Sequence, residues 1–295
     1  MTWPELPRDA WADTYATLHM WTQVVGKVAL ATAPPLNHSW GIALQVTPRG
    51  LVTRRLTHGA RSFTIEFDFH EHQLRIDVSD GQQRALPLAP RTVADFYREV
   101  MAALHALGID VTIWPVAVEL PSPIRLDEDT QHASYDRVWV ERWWRILSQA
   151  EQILTSARCP FVGKASPTHF FWGAFDLAVT RFSGRPAPPR AGPQFMQEAY
   201  SHEVISHGFW PGSGPISEAA FYAYAVPEPA GLKQARVRPD AAFYHQELGE
   251  FVLPYEAART SSSPEEAIRA FVESTYEQAA TLAGWDRSAL ETSAS

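Results

Sequence analysis

A single cysteine, Cys159, stands in 295 residues, so the chain can form no internal disulfide and has no Cys pair for a structural metal. Beside Pro160, it reads as a buried, unreactive thiol. No stretch approaches eighteen uninterrupted apolar residues, and the opening MTWPELPRDAW lacks a basic segment followed by an apolar one. Neither a membrane span nor a secretory leader is expected, and a cytoplasmic location follows. Basic clusters are missing as well. The formal net charge is −8 with Lys and Arg scattered, so no face neutralises a phosphate backbone, and nucleic acid and membrane drop out as partners. The local motifs of nucleotide, zinc-protease, serine-hydrolase and dithiol chemistry are absent: no G-x-G-x-x-G after a strand, no H-E-x-x-H, no G-x-S-x-G, no C-x-x-C. Gly163-Lys164 is followed by Ala165, so it is no phosphate-binding loop.

Aromatic residues, by contrast, are plentiful. Eleven Trp, fifteen Phe and nine Tyr exceed what a core of this size needs, and such rings line cavities and interfaces as well as fill interiors. A charged fraction of 20% beside 45% apolar residues argues for a globular chain without long disordered tails. The length fits two domains or one large fused core.

Periodicity points to an α+β fold with a repeated order. Trp11, Tyr15, Leu18, Trp21 and Val25 recur at helical spacing and predict a helix from Arg8 that closes at Gly26-Lys27. The runs VALATA, SWGIALQVT, LVTRRL, SFTIEFDF and LRIDVS, separated by turn-rich segments, predict an antiparallel meander. A second helix is predicted from Val93 to Leu107, stopping at Gly108. The order then recurs: a Trp-rich helix over 135–157, Gly163-Lys164 in the place of Gly26-Lys27, the strand THFFWGAFDLAVTRFSG with Trp172-Gly173 laid on Trp40-Gly41, and the strands AFYAYAV and EFVLPY. A last helix is announced by Ser263 as capping side chain, Pro264 and two acids. The expected architecture is two pseudo-repeated halves, helix, antiparallel meander, helix, packed into one fused core: residues 1–109, a connecting segment 110–134, and residues 135–295 carrying the candidate site. An aromatic-lined pocket is expected where the halves meet.

The strings TLHMWTQVVGK, GKASPTHFFWGAFDLAVTRFSGR, AYSHEV, GFWPG and LPYEAAR are similar to those of a bacterial domain-of-unknown-function family, number 5996, over nearly the whole chain. His70 lies outside that pattern. The resemblance implies a compact full-length domain and adds no chemistry.

Candidate residues therefore come from the chain itself. His169 opens the most aromatic strand, where a polar ring needs a partner or a task. Strand alternation sends Trp172, Asp176 and Thr180 to one face and His169, Phe171 and Arg181 to the other. Asp176 needs a cation, for which Arg181, Arg185 and Lys164 are the candidates. His202 precedes the shaped loop GFWPG, and bracing that loop is its plain alternative role. His202 and His207, five apart, do not form a local pair. His70 and His72 would present both rings to one side of a strand, as a metal pair requires, but a solvated hairpin end is the better reading, and His132 with Asp136 would form an N-terminal cap or a His–carboxylate couple, with the cap favoured.

These residues give three readings. In the first, a small-molecule enzyme uses His169, His202, Asp176 and Arg181 catalytically, with His38, His169 and His202 as ligands to a divalent metal. In the second, a non-catalytic binding protein holds its ligand with Trp40, Trp172, Trp210, Lys164 and Arg185. In the third, the Trp-rich helix VWVERWWRIL docks a partner or a second copy in a homodimer. The enzyme is the preferred reading.

Overall fold

The computed structural model describes residues 2–192 and 194–292. Its helices are α1 (Arg8–Thr32), α2 (Val93–Ala106), α3 (Arg137–Arg158), α4 (Gln194–Ala199), α5 (Tyr255–Arg259), α6 (Pro264–Leu282) and α7 (Arg287–Leu290). The strands are β1 (Gln45–Val46), β2 (Gly50–Val52), β3 (Leu56–His58), β4 (Arg61–Asp68), β5 (Gln73–Val78) and β6 (Gln83–Pro87), then β7 (His169–Phe171), β8 (Asp176–Pro186), β9 (His202–Trp210), β10 (Ala220–Val226), β11 (Phe243–His245) and β12 (Glu250–Pro254). Helices and two antiparallel sheets make the chain α+β. No described helix is long and apolar enough to cross a membrane.

The chain divides into two compact units. One comprises Asp9–Ser148 and Phe170–Phe175, the other Met1–Arg8, Gln149–His169 and Asp176–Ser295.

The first unit holds the sheet β1-β2-β4-β5-β6, with β3 also pairing β4. Its centre is the β4–β5 hairpin, where Phe63, Ile65 and Phe67 face Val78, Ile76 and Leu74 across the ladder. Aromatic rings fill the interior. Trp21 stacks on Phe96 of α2 at 4.6 Å, and Trp143 of α3 stacks on Phe175 at 4.9 Å. All four rings are buried. The abundance of aromatics thus serves packing here, and Trp143 of the supposed docking stripe points inward.

Several local expectations fail for identifiable reasons. α1 does not close at Gly26-Lys27 but continues to Thr32, absorbing VALATA. Gly26 is present because the Trp172 ring presses on the helix: a Cβ there would lie 2.0 Å from a ring carbon. The segment NHSWG forms a 3-10 turn in which His38 and Ser39 take positive φ. The long strand through Trp172 is broken by a turn in which Phe175 adopts φ 58°. The equivalence of Gly26-Lys27 with Gly163-Lys164 therefore does not hold. The two sheets differ in strand order, and α4 interrupts the strands of the second, so the topology gives the expected repeat no support. Segment 110–136 is irregular yet ordered by Asp129, which is fully buried and accepts the backbone N–H groups of Gln131 and His132.

The second unit holds the strands ordered β11-β12-β10-β9-β8. α6 packs on one face of β9 and β10. Ser263 stands at the N-cap of α6 but its side chain makes no capping hydrogen bond. Cys159, expected inside, is exposed.

Candidate functional site

Strands β8, β9, β10 and β12 lie side by side, and alternation splits their side chains between two faces. One face is the core face against α6. It carries Leu177, Val179, His207 and Phe221, all buried, and His207 Nε2 meets Thr275 Oγ1 of α6 at 3.0 Å. The other face is unlike a core. It presents Asp176 and Thr180 from β8, Ser206 and Trp210 from β9, Tyr222 and Tyr224 from β10, and Glu250 from β12. Register places them together: Tyr222 pairs with Gly208 and Val252, and Tyr224 with Ser206, which pairs with Thr180.

The geometry of this face turns on Gly208. A Cβ at that position would lie 2.3 Å from the Tyr222 ring and 2.2 Å from the Leu177 carbonyl oxygen. The absent side chain leaves a slot, and the Tyr222 ring lies in it. From there the phenol reaches across β9 and donates a hydrogen bond to Asp176 Oδ2. Tyr224 stacks on Tyr222 with centroids 6.0 Å apart, and Trp210 meets Tyr222 edge-on at 6.4 Å. Tyr200, just past α4, sets its hydroxyl 3.2 Å from that of Tyr224, and the Arg190 guanidinium lies over its ring. Thr180 and Ser206 share a hydrogen bond of 3.0 Å on the same face.

Two carboxyl groups sit among these rings with no ion pair to any described arginine or lysine. Loss of hydration raises Asp176 to about 6, against the lowering effect of the Tyr222 hydrogen bond. Glu250 is pushed to about 7 by burial first and by the charge of Asp176 second. The phenols of Tyr222 and Tyr224 are driven well above their ordinary range by burial, so both stay protonated as donors. At neutral pH the face therefore holds one carboxylate that can accept a proton and one carboxyl group close to its midpoint, framed by fixed hydroxyl donors.

The residues singled out from sequence scatter over the fold. Asp176 and Trp210 belong to this face. Arg181 does not: it points to the core face as alternation predicts, is buried, gives Nη2 to the Ala157 carbonyl at 2.7 Å and lies over the Tyr276 ring. It cannot be the partner of Asp176, and neither are the other two cations. Arg185 is exposed and grips Glu203 at 2.7 Å, while Lys164 is exposed and lies over Phe182. His169 is fully buried at the start of β7. His202 opens β9, its Nδ1 3.1 Å from Ser201 Oγ, at the opposite end of that strand from Gly208–Trp210. His38, His169 and His202 do not form a ligand set: among the described residues no group of three His, Cys, Asp or Glu is placed to hold a metal ion. Trp40 is half-buried beside His38, and Trp172 is buried in the first unit with its Nε1 donating to the Ile42 carbonyl.

At the two local His pairs a hairpin end and a helix cap are found rather than a metal pair and a couple. His70 and His72 lie in the turn between β4 and β5, where only His72 is buried, 2.9 Å from the Tyr135 hydroxyl. His132 pairs with Asp129 at 2.6 Å, while Asp136 accepts the backbone N–H of Val138 at the start of α3.

Tyr200, Tyr222, Tyr224 and Glu250 were missed from sequence. The alternation in AFYAYAV could have flagged Tyr222 and Tyr224, since it sends two phenols to the side opposite Phe221, Ala223 and Ala225. Nothing local marks Glu250, whose role depends on strand order.

No curated protein and no solved structure matches the chain. The model of a family of unknown function, DUF5996, matches residues 3–292, and the chain belongs to that family.

Proposed function

We propose that the protein is a small-molecule enzyme working by general acid–base catalysis on the polar face of its second sheet. Asp176 serves as the base and Glu250 as the acid, with Tyr222 orienting Asp176 and Trp210, Tyr222 and Tyr224 forming the walls that hold the substrate. The observation that carries this reading is the hydrogen bond from Tyr222 across Gly208 to Asp176. A polar contact assembled over a residue that must be glycine holds a carboxyl group against a phenol with no cation beside it, and such groups concentrate at functional sites. His169, His202 and Arg181 have no part in this mechanism.

The stacked pair Tyr222–Tyr224 with Trp210 also suits a binding protein that does no chemistry. One experiment separates the two. Purified protein is incubated with a pool of small polar metabolites and the mixture followed by mass spectrometry, with Asp176→Asn and Glu250→Gln run alongside. The enzyme reading expects a substrate consumed by the wild type and spared at least about a hundredfold by either variant, the usual scale of a lost acid or base. Turnover unchanged in both variants would sink it. A ligand retained unaltered by wild type and variants alike would establish the binding protein instead.

A further inference from the structure

Away from that face, in the first unit, α1 carries His19, Gln23 and Lys27 at successive spacings of four, which puts them on one stripe. All three are buried, Lys27 to 6% exposure. The first two have clear structural tasks. His19 Nε2 lies 3.0 Å from the Gly173 carbonyl oxygen, and Gln23 Nε2 donates to the carbonyls of Gly173 and Trp172, so they hold the turn after β7. Lys27 has no such task. Among the described residues its amine makes no hydrogen bond and no ion pair. Its neighbour is the Trp172 ring, 5.7 Å from Nζ to centroid, and it feels the charge of Glu119.

An unpaired buried ammonium is costly, and the ordinary remedies are a partner or loss of the proton. Burial does pull the Lys27 amine below the usual lysine range, with Glu119 opposing it. Polar atoms closed off without a partner include Gln23 Oε1 but not Lys27 Nζ, so the small exposure left to Lys27 keeps its amine open. The ring beside it is fixed: Trp172 Nε1 is tied to the Ile42 carbonyl at 3.0 Å and its face is seated on Gly26. The choice of residue is also specific. The chain uses twenty-two arginines and three lysines, Lys27, Lys164 and Lys233, and an amine, unlike a guanidinium, becomes a nucleophile once deprotonated.

We propose that Lys27 is a second reactive centre, whose amine condenses with the carbonyl carbon of a small aldehyde or ketone seated against Trp172. The amine nitrogen attacks the carbonyl carbon, forming the C–N bond while the C=O pair moves to oxygen and takes up a proton. Loss of that oxygen as water leaves the protonated imine, so that ammonium plus carbonyl compound gives iminium plus water, with charge and atoms conserved. The indole face lies beside the planar iminium.

The protein contains its own controls. The full-length chain is treated with propanal and, separately, benzaldehyde at neutral pH, with sodium cyanoborohydride to reduce any imine to a stable secondary amine, and the three lysines are followed by peptide mapping. Lys164 and Lys233 are both exposed, so accessibility alone would favour them. The expected result is labelling of Lys27 faster than of either by about tenfold or more, against the order that accessibility alone would give. It should disappear in Lys27→Arg with the other two sites unchanged. Labelling of Lys27 no faster than that of Lys164 and Lys233 would overturn the proposal, and because this readout is on wild-type protein it stands whether or not the variant folds.

Discussion

Tyr222 shows how one side chain can set the chemistry of another. Its phenol lowers the proton affinity of Asp176 while burial raises it, and burial wins, leaving the carboxyl at about 6. Removing only the hydroxyl must therefore move Asp176 up, away from the usual carboxylate range. In Tyr222→Phe, carbon-detected NMR titration of the Asp176 carboxyl should give a midpoint above that of the wild type. A midpoint that is unchanged or lower would mean that the hydrogen bond does not favour the ionised form. Legibility at this scale was partial. Asp176 was visible as a carboxylate in an apolar run, because a charge among rings stands out in one dimension. Its partner was not, since the sequence suggested a cation and the fold supplies a phenol from a strand 46 residues away.

Among the elements, α1 is where local signals and tertiary packing disagree most. Gly26-Lys27 looks like a helix terminus because glycine costs about 1 kcal/mol in a helix interior. The helix nonetheless runs six residues beyond Gly26, to Thr32, since the glycine is selected by the Trp172 ring rather than by the backbone. Gly26→Ala follows directly. Helix propensity alone would stabilise it, but the new methyl meets a ring held on its far side by the Ile42 carbonyl. Overpacking of this kind costs about 1–3 kcal/mol, so the urea midpoint should fall, and a rise would refute the packing account. Helices with strong apolar periodicity were read within a few residues, as α2 and α3 show. The short strands β3, β6 and β11 do not stand out in the sequence, because three to five residues carry too little alternation to announce themselves.

At the scale of the whole molecule, the two raised carboxyls make stability depend on pH in an unusual direction. Asp176 and Glu250 have folded values of about 6 and about 7 against ordinary values of 3.8 and 4.5. Between these limits the folded chain holds protons that the unfolded chain has released, so this contribution to stability declines as pH rises from about 4 to about 7. The double variant Asp176→Asn, Glu250→Gln lacks it. Denaturation midpoints of wild type and double variant should thus diverge as pH increases, with the variant gaining. Midpoints that stay parallel across that range would show that neither group is raised. The α+β class and the family resemblance were legible from end to end, whereas a sheet face is assembled from strands far apart in sequence and appears only when the strand order is known.

The division of the chain also bears on how the protein is made. The unit of Asp9–Ser148 lacks Phe170–Phe175 until another twenty-one residues of the other unit have been synthesised. Those six residues bring Trp172 to Gly26 and Phe175 to Trp143. Until they leave the ribosome, large aromatic faces on two long helices remain wet, which makes the interval between residues 148 and 175 the stage of biosynthesis most exposed to aggregation and most in need of a chaperone.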